Sequence, residues 1–363
     1  MAEHSDFQPD WVSTPGDTIA DILEERNLSP VEFANQMDYT FEHANELLHG
    51  HATITIENAR RLEGILGASV EFWMNRESQY REDVARLQRE VRGAASREWL
   101  TELPVKDMIK FGWLESVPGS ADAAAACLRF FGVRDVGTWR KTYRDALEMA
   151  AFRTSPSFES QPGAVAAWLR QGEIESASID CKRWNAKKFQ EILPRIRSLT
   201  RKKDPSYFIP ELAKRCAECG AAVLIVRAPT GCRASGATRF LSPSRALMLL
   251  SFRYLSDDHF WFTFFHEAGH LLLHDKKALF LEGPDMPLTR EEEEANEFAA
   301  RVLIPPKFQA ELRNLRANGR EVIRFARHAG VSPGIVVGQL QHLGQIKPNQ
   351  LNTLKRRFIW DTE

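Results

Sequence analysis

The stretch FWFTFFHEAGHLLLH carries His266 and His270 four residues apart. On a helix that spacing stacks two imidazoles on one face, where both can point at a single divalent ion. Glu267, next to the first histidine, is too close in sequence to be a good ligand to the same ion, but it is well placed to take a proton from water that the ion acidifies. The chemistry implied is hydrolysis, with zinc as the expected metal. The apolar neighbours Phe262, Phe264, Phe265, Leu271 and Leu272 would anchor such a helix in a core and keep the site dry, which strengthens its electrostatics. The bland alternative is a pair of core histidines with no metal.

A third ligand is required. His274 continues the spacing, but it lies two turns from His266, about 12 Å along a helix axis, so the three histidines cannot share one ion; a supporting role is expected for it. The better source is REEEEANEFAARVLIP, in which Ala295, Phe298, Ala299, Val302 and Leu303 form an apolar helix face and Glu291, Glu294 and Glu297 lie near its edge. Burying a carboxylate there is costly unless it meets a cation. Glu294, one turn before Phe298, is the expected ligand, and Glu292 and Glu293 are expected on the solvated face.

The two pieces HEAGH and EANEFAARVLIP together resemble the ImmA/IrrE family of zinc metallopeptidases, over about residues 206–343. The resemblance implies that His266, His270 and Glu294 hold zinc and that Glu267 is the general base. It also implies a protein substrate, a helix-turn-helix repressor being the family's usual partner. A toxin, or the chain itself, is a further candidate.

The elements that must position this site follow from pattern. Helix 209–219 ends at Gly220, and AAVLIV, Arg239–Phe240 and 246–252 read as strands, with Gly231, Gly236 and Pro243 at the turns between them. A small sheet therefore precedes the motif helix, and helices follow it. Residues 206–363 are expected to form an α+β zincin-like peptidase domain. Residues 82–205 read as a helical linker domain, including an Ala-rich helix at 121–131.

The first segment differs. Ile19, Ile22 and Leu23 space one helix. Ser29 with Glu32 makes a capping box before Phe33, Ala34 and Met37. Thr40 caps a helix whose inner face is Ala44, Leu47 and Leu48, with Gly50 just past its end. Thr55 opens one more. Two short helices joined by a brief turn suit a helix-turn-helix. TPGDTIADILEERNLSPVEFANQM and HGHATITIENARRLEGILGASVEFWMN resemble the HigA-type antitoxin branch of the lambda-repressor-like helix-turn-helix proteins, over about residues 15–80, so a module is expected at 1–81. Its candidate recognition helix offers Thr40, Phe41, His43 and Asn45 to DNA. The overall fold class is thus multidomain and mostly α.

Charge qualifies that last expectation. The net charge of −1 hides fifteen Asp or Glu against four Arg in residues 1–80, a net of −11, whereas residues 181–203 carry nine Lys or Arg against Glu191 alone. DNA affinity rests largely on phosphate neutralisation, so an acidic module starts at a disadvantage. The competing reading is an antitoxin-type DNA-binding transcriptional regulator, a homodimer being compatible with it, whose metallo-domain is a sensor or inactive.

Composition excludes other classes. Of 363 residues, 43% are hydrophobic and 27% charged, the profile of an ordinary folded protein rather than a disordered or fibrous one. The start, MAEHSDFQPD, has no basic or apolar targeting signature, and no apolar run is long enough to span a bilayer. A cytoplasmic location without membrane association is expected, in keeping with an odd count of five cysteines. The Cys216–Cys219 pair has no second pair to complete a zinc site and reads as a half-buried helix face.

Overall fold

In the computed structural model, the described residues are 13–90, 94–115, 119–144, 161–275, 278–283 and 289–360; the amino-terminal decapeptide discussed above lies outside them. The protein is mostly helical with one small mixed sheet. Three segments were expected, yet the chain gathers into two compact units. Among the described residues, one comprises those within 13–144, 161–180 and 229–232, and the other those within 181–228 and 233–360. The region expected as a linker domain is therefore shared out. Its helix Pro162–Ala177 belongs to the first unit and its helix Ala186–Leu199 to the second. No described helix is long and apolar enough to cross a membrane.

In the first unit α1 (Pro15–Arg26), α2 (Pro30–Met37), α3 (Phe41–Leu48), α4 (Ile56–Leu66) and α5 (Val70–Glu90) enclose a core of Ile19, Leu23, Phe33, Met37, Leu47, Leu62 and Trp73. Local chemistry sets the boundaries. The Ser29 hydroxyl accepts from Glu32 N at 3.2 Å while Ser29 N donates to Glu32 Oε2 at 2.9 Å, closing the expected capping box. Asp38 ends α2 at φ 57°, and Thr40 Oγ1 accepts from His43 N at 3.2 Å to start α3. These two stops leave a brief turn between α2 and α3, the helix-turn-helix arrangement.

The second unit is built around the motif helix Asp257–Leu273. Its sheet has the order β1-β3-β2-β4, with β1 (Ala221–Ile225) parallel to β3 (Arg245–Leu250), and β2 (Gly236–Ser242) antiparallel both to β3 and to β4 (Phe280–Glu282). Strand β4 follows the motif helix and was not anticipated, since three residues carry too little alternation to register. Gly236 opens β2 rather than marking a turn. Trp261, Phe264, Phe265 and Leu271 of the motif helix join Met248 of β3, Leu303, Phe325 and Val336 in one core. The HExxH segment is thereby held rigidly from several sides.

The start of the motif helix is clamped by distant chain. Asp257 accepts from Ser332 Oγ at 2.7 Å and from Arg356 N at 2.9 Å. Lys355 Nζ lies 2.6 Å from Asp258 Oδ2, the two side chains being 8% and 7% exposed. Acidic residues at a helix start complement the macrodipole, and here they also hold the C-terminal segment in place. Removing one partner of a buried pair strands the other charge. Lys355→Ala is expected to lower the unfolding free energy by about 3–5 kcal/mol in urea titrations, and joint apolar replacement of Asp258 and Lys355 to recover most of that loss. A loss under about 1 kcal/mol would mean that the pair behaves as a solvated one.

Candidate metal centre

The residues that meet are His266, His270 and Glu292. Glu292 Oε2 lies 3.0 Å from His266 Nε2, Glu292 Oε1 lies 3.4 Å from His270 Nε2, and the two Nε2 atoms are 2.9 Å apart. All three residues are buried. The two histidines stand where the motif predicts. The carboxylate does not: Glu294, the expected ligand, is 41% exposed and bonded by Arg290 Nε at 2.8 Å and His274 Nε2 at 3.3 Å. Glu292, expected on the solvated face, is 7% exposed.

Helical periodicity explains the correction. On the acidic helix Arg290–Leu303 the fully buried positions are Ala295, Ala299 and Leu303, and stepping back three residues from Ala295 reaches Glu292. Stepping back from Phe298, which is only half-buried, reaches Glu294 at the flank. The inner face was therefore defined by the alanines rather than by the phenylalanine. Gly269 lets this helix come close, since a Cβ there would stand 3.2 Å from Ala295 Cα and from the Phe298 ring.

A second layer orients the imidazoles. His266 Nδ1 lies 3.0 Å from Asn296 Oδ1, an acceptor that fixes the proton on Nδ1 and leaves the Nε2 lone pair for a ligand bond. His270 Nδ1 lies 2.8 Å from His274 Nδ1, and His274 Nε2 faces Glu294 Oε2. One consistent tautomer assignment has His270 donating to His274 and His274 donating to Glu294, which again frees Nε2 of His270. His274 thus takes the supporting role expected of it, and Glu294 acts two hydrogen bonds from the centre. The Phe280 ring of β4 stacks on His270 with centroids 4.2 Å apart.

Charges in this pocket are strongly coupled. Burial alone would raise the Glu292 carboxyl, but hydrogen bonds from His266 and His270 bring it down to about 2. For His266 burial works against the cationic form, yet Glu282 and Glu292 together with Glu267 push it up to about 9. The carboxyls around His266 therefore favour positive charge at this position, which a divalent ion supplies. The donor set, two imidazole nitrogens and one carboxylate, fits zinc.

Glu267 is fully buried, and that burial pushes its carboxyl well above the ordinary range. Thr238 Oγ1 donates to its Oε2 at 2.9 Å, while Oε1 has no hydrogen-bond partner. Gly236 makes room for it, because a Cβ there would lie 2.3 Å from Glu267 Oε1. Across the ladder from Gly236 stands Glu282, whose carboxyl is also raised by burial, opposed by the charge of His266 and a hydrogen bond from Thr263. Its Oε2 is buried without a partner. Glu282, Thr238 and Asn296 escaped the sequence reading. Of these only Asn296, inside EANEF, left a signal in the chain; the other two reach the site through strand pairing.

The residues proposed to read DNA are placed differently. Thr40 is committed to its cap, Phe41 is 41% exposed, and His43 lies 3.6 Å from Glu46 with its ring against Tyr39. Asn45 is half-buried, its Oδ1 without a partner. Glu42 and Glu46 are the exposed charges of α3. Cys216 and Cys219 are fully rather than half buried, at 0% and 3% exposure.

A HExxH helix under a mixed sheet, completed by a glutamate from the next long helix, defines a metallopeptidase-like domain of zincin type. Residues 221–340 match the peptidase M78 family, described as the IrrE N-terminal-like domain. The chain is also similar to YddM, a helix-turn-helix-type transcriptional regulator of Escherichia coli strain K12. The identity is 38% over 82 residues, 21% of this chain and 87% of that protein. The chain therefore carries an ImmA/IrrE-type domain at residues 221–340 together with a helix-turn-helix module.

Glu292→Ala is expected to abolish retention of a divalent metal after dialysis, whereas Glu294→Ala keeps at least half of it, read by elemental analysis of the purified protein. His274→Ala should weaken metal affinity about 10–100-fold, the usual cost of losing an orienting partner. Equal metal loss in the Glu292 and Glu294 variants would contradict the assignment.

Proposed function

We propose that the chain is a zinc-dependent metalloendopeptidase with a regulatory helix-turn-helix module, cutting a regulator protein or its own chain. The observation that carries this reading is the buried cluster of His266, His270 and Glu292 beside Glu267, whose Oε1 is left free. Zinc held by the first three residues would supply Lewis acidity toward a peptide carbonyl and toward water.

The chain's own residues do the rest. Glu267 accepts the proton of the attacking water at Oε1 and returns it to the departing amine. Thr238 holds the opposite oxygen and so keeps Oε1 directed. The His266–Asn296 and His270–His274 contacts hold both imidazoles in register. A protein substrate is favoured by the similarity of residues 221–340 to a peptidase family. The acidic face of α3 weighs against a regulator that works through sequence-specific DNA contacts alone, since phosphate neutralisation supplies most of such binding.

The test is paired. Glu267→Gln is expected to retain metal and to lose about 10²–10⁴-fold in cleavage rate, scored by protein fragments that accumulate with the intact chain and not with the variant. Gly236→Ala, which crowds Glu267 without touching a ligand, should likewise keep metal and lose cleavage. Identical fragment patterns from intact and Glu267→Gln chains would refute the peptidase reading.

A further inference from the structure

The second unit exposes a run of basic residues on an element that supplies none of the side chains of the metal centre. On helix Ala186–Leu199, Phe189, Leu193, Ile196 and Leu199 are buried, which leaves Lys187, Lys188 and Arg195 exposed around a single carboxylate, that of Glu191. The turn that follows exposes Arg201, Lys202 and Lys203. None of Lys187, Lys188, Arg201 and Lys203 forms an ion pair with a described carboxylate.

Tertiary contacts extend this face in ways the sequence does not reveal. Arg356, from the C-terminal segment, donates to the carbonyls of Thr200 and Lys202 at 2.9 and 2.8 Å, which holds the turn and keeps its three side chains outward. Arg197, about half a turn around the helix from Lys188 and Arg195, donates to Ala329 O at 3.2 Å and ties this helix to helix Gly319–Ala329. Tyr207 is 54% exposed, with Lys202 Nζ 4.9 Å from its ring centroid. The C-terminal segment thus adds the charge of Arg356 to the turn that carries Arg201, Lys202 and Lys203.

We infer that this face binds the phosphate backbone of duplex DNA, independently of any reading by α3. Charge complementarity selects the occupant. Duplex DNA presents a negative charge about every 1.7 Å of axis, and the run from Lys187 to the turn spans roughly 20 Å of helix, enough for several phosphate contacts. A single exposed tyrosine is not the series of stacking platforms that single strands require. The run also lacks the large apolar side chains with which an amphipathic helix enters a bilayer. Backbone contacts position without specifying sequence, so this face would hold the second unit on DNA wherever it finds it.

The test uses the full chain and a labelled random-sequence duplex, with anisotropy read over a salt series. Two triple variants are compared with the wild type: Lys187→Gln/Lys188→Gln/Arg195→Gln, and Arg201→Gln/Lys202→Gln/Lys203→Gln. Each should flatten the slope of log K against log salt by about 2–3 and weaken binding at 0.1 M salt on the order of 100-fold. His43→Ala/Asn45→Ala in α3 should leave both within about twofold. Metal content, unchanged in every variant, reports that the second unit is folded. The inference is overturned if the triple variants match the wild type, if only the α3 variant loses binding, or if the wild type binds single-stranded RNA or phosphatidylserine vesicles but not the duplex.

Discussion

A carboxylate placed on the innermost face of a helix costs several kcal/mol unless a cation meets it, and the second unit is organised around satisfying that demand. Glu292 shares its helix face with Ala295, Ala299 and Leu303, and it is tolerated there because His266 and His270 of the facing helix present nitrogen to both of its oxygens. Small residues at the crossing, Gly269 against Ala295, allow the two helices to approach closely enough. Larger side chains there would separate the donors and leave the carboxylate unpaired.

The same constraint extends outward. Two imidazoles that share a divalent ion with one carboxylate must each lose rotational freedom and carry their proton on the far nitrogen, and Asn296 and the His274–Glu294 pair offer partners for that proton. At the helix start, Asp257 and Asp258 tie the motif to Ser332, Arg356 and Lys355, so the C-terminal segment contributes to the site without approaching it. Beneath, Gly236 removes a side chain where Glu267 needs space, and the edge strand brings Glu282 alongside. Each of these contacts restrains one of the few atoms on which hydrolysis would depend.

The two units carry opposite electrostatic characters. The helix-turn-helix is acidic through residues 1–80, while the second unit gathers lysine and arginine on the outside of helix Ala186–Leu199 and the turn beyond it. A helix-turn-helix fold alone does not decide what is bound, and here the exposed charge on α3 is glutamate.

What the sequence by itself determined is local. The spacing of His266 and His270, the adjacency of Glu267, and the caps at Ser29 and Thr40 depend on residues within four positions of one another, where helix geometry leaves little choice. Tertiary structure alone decided which glutamate of Glu291–Glu297 turned inward, because that depends on which apolar positions the neighbouring helix covers. Phe298 stands out as the anchor by size, yet the fully buried positions are Ala295, Ala299 and Leu303, and Glu292 rather than Glu294 lies on their face. Thr238 and Glu282 reach the site through strand register, and Arg356 reaches the basic turn across more than 150 residues of chain. Pairings of that range are set by the shape of a packed core, for which no periodicity within a single segment carries the information.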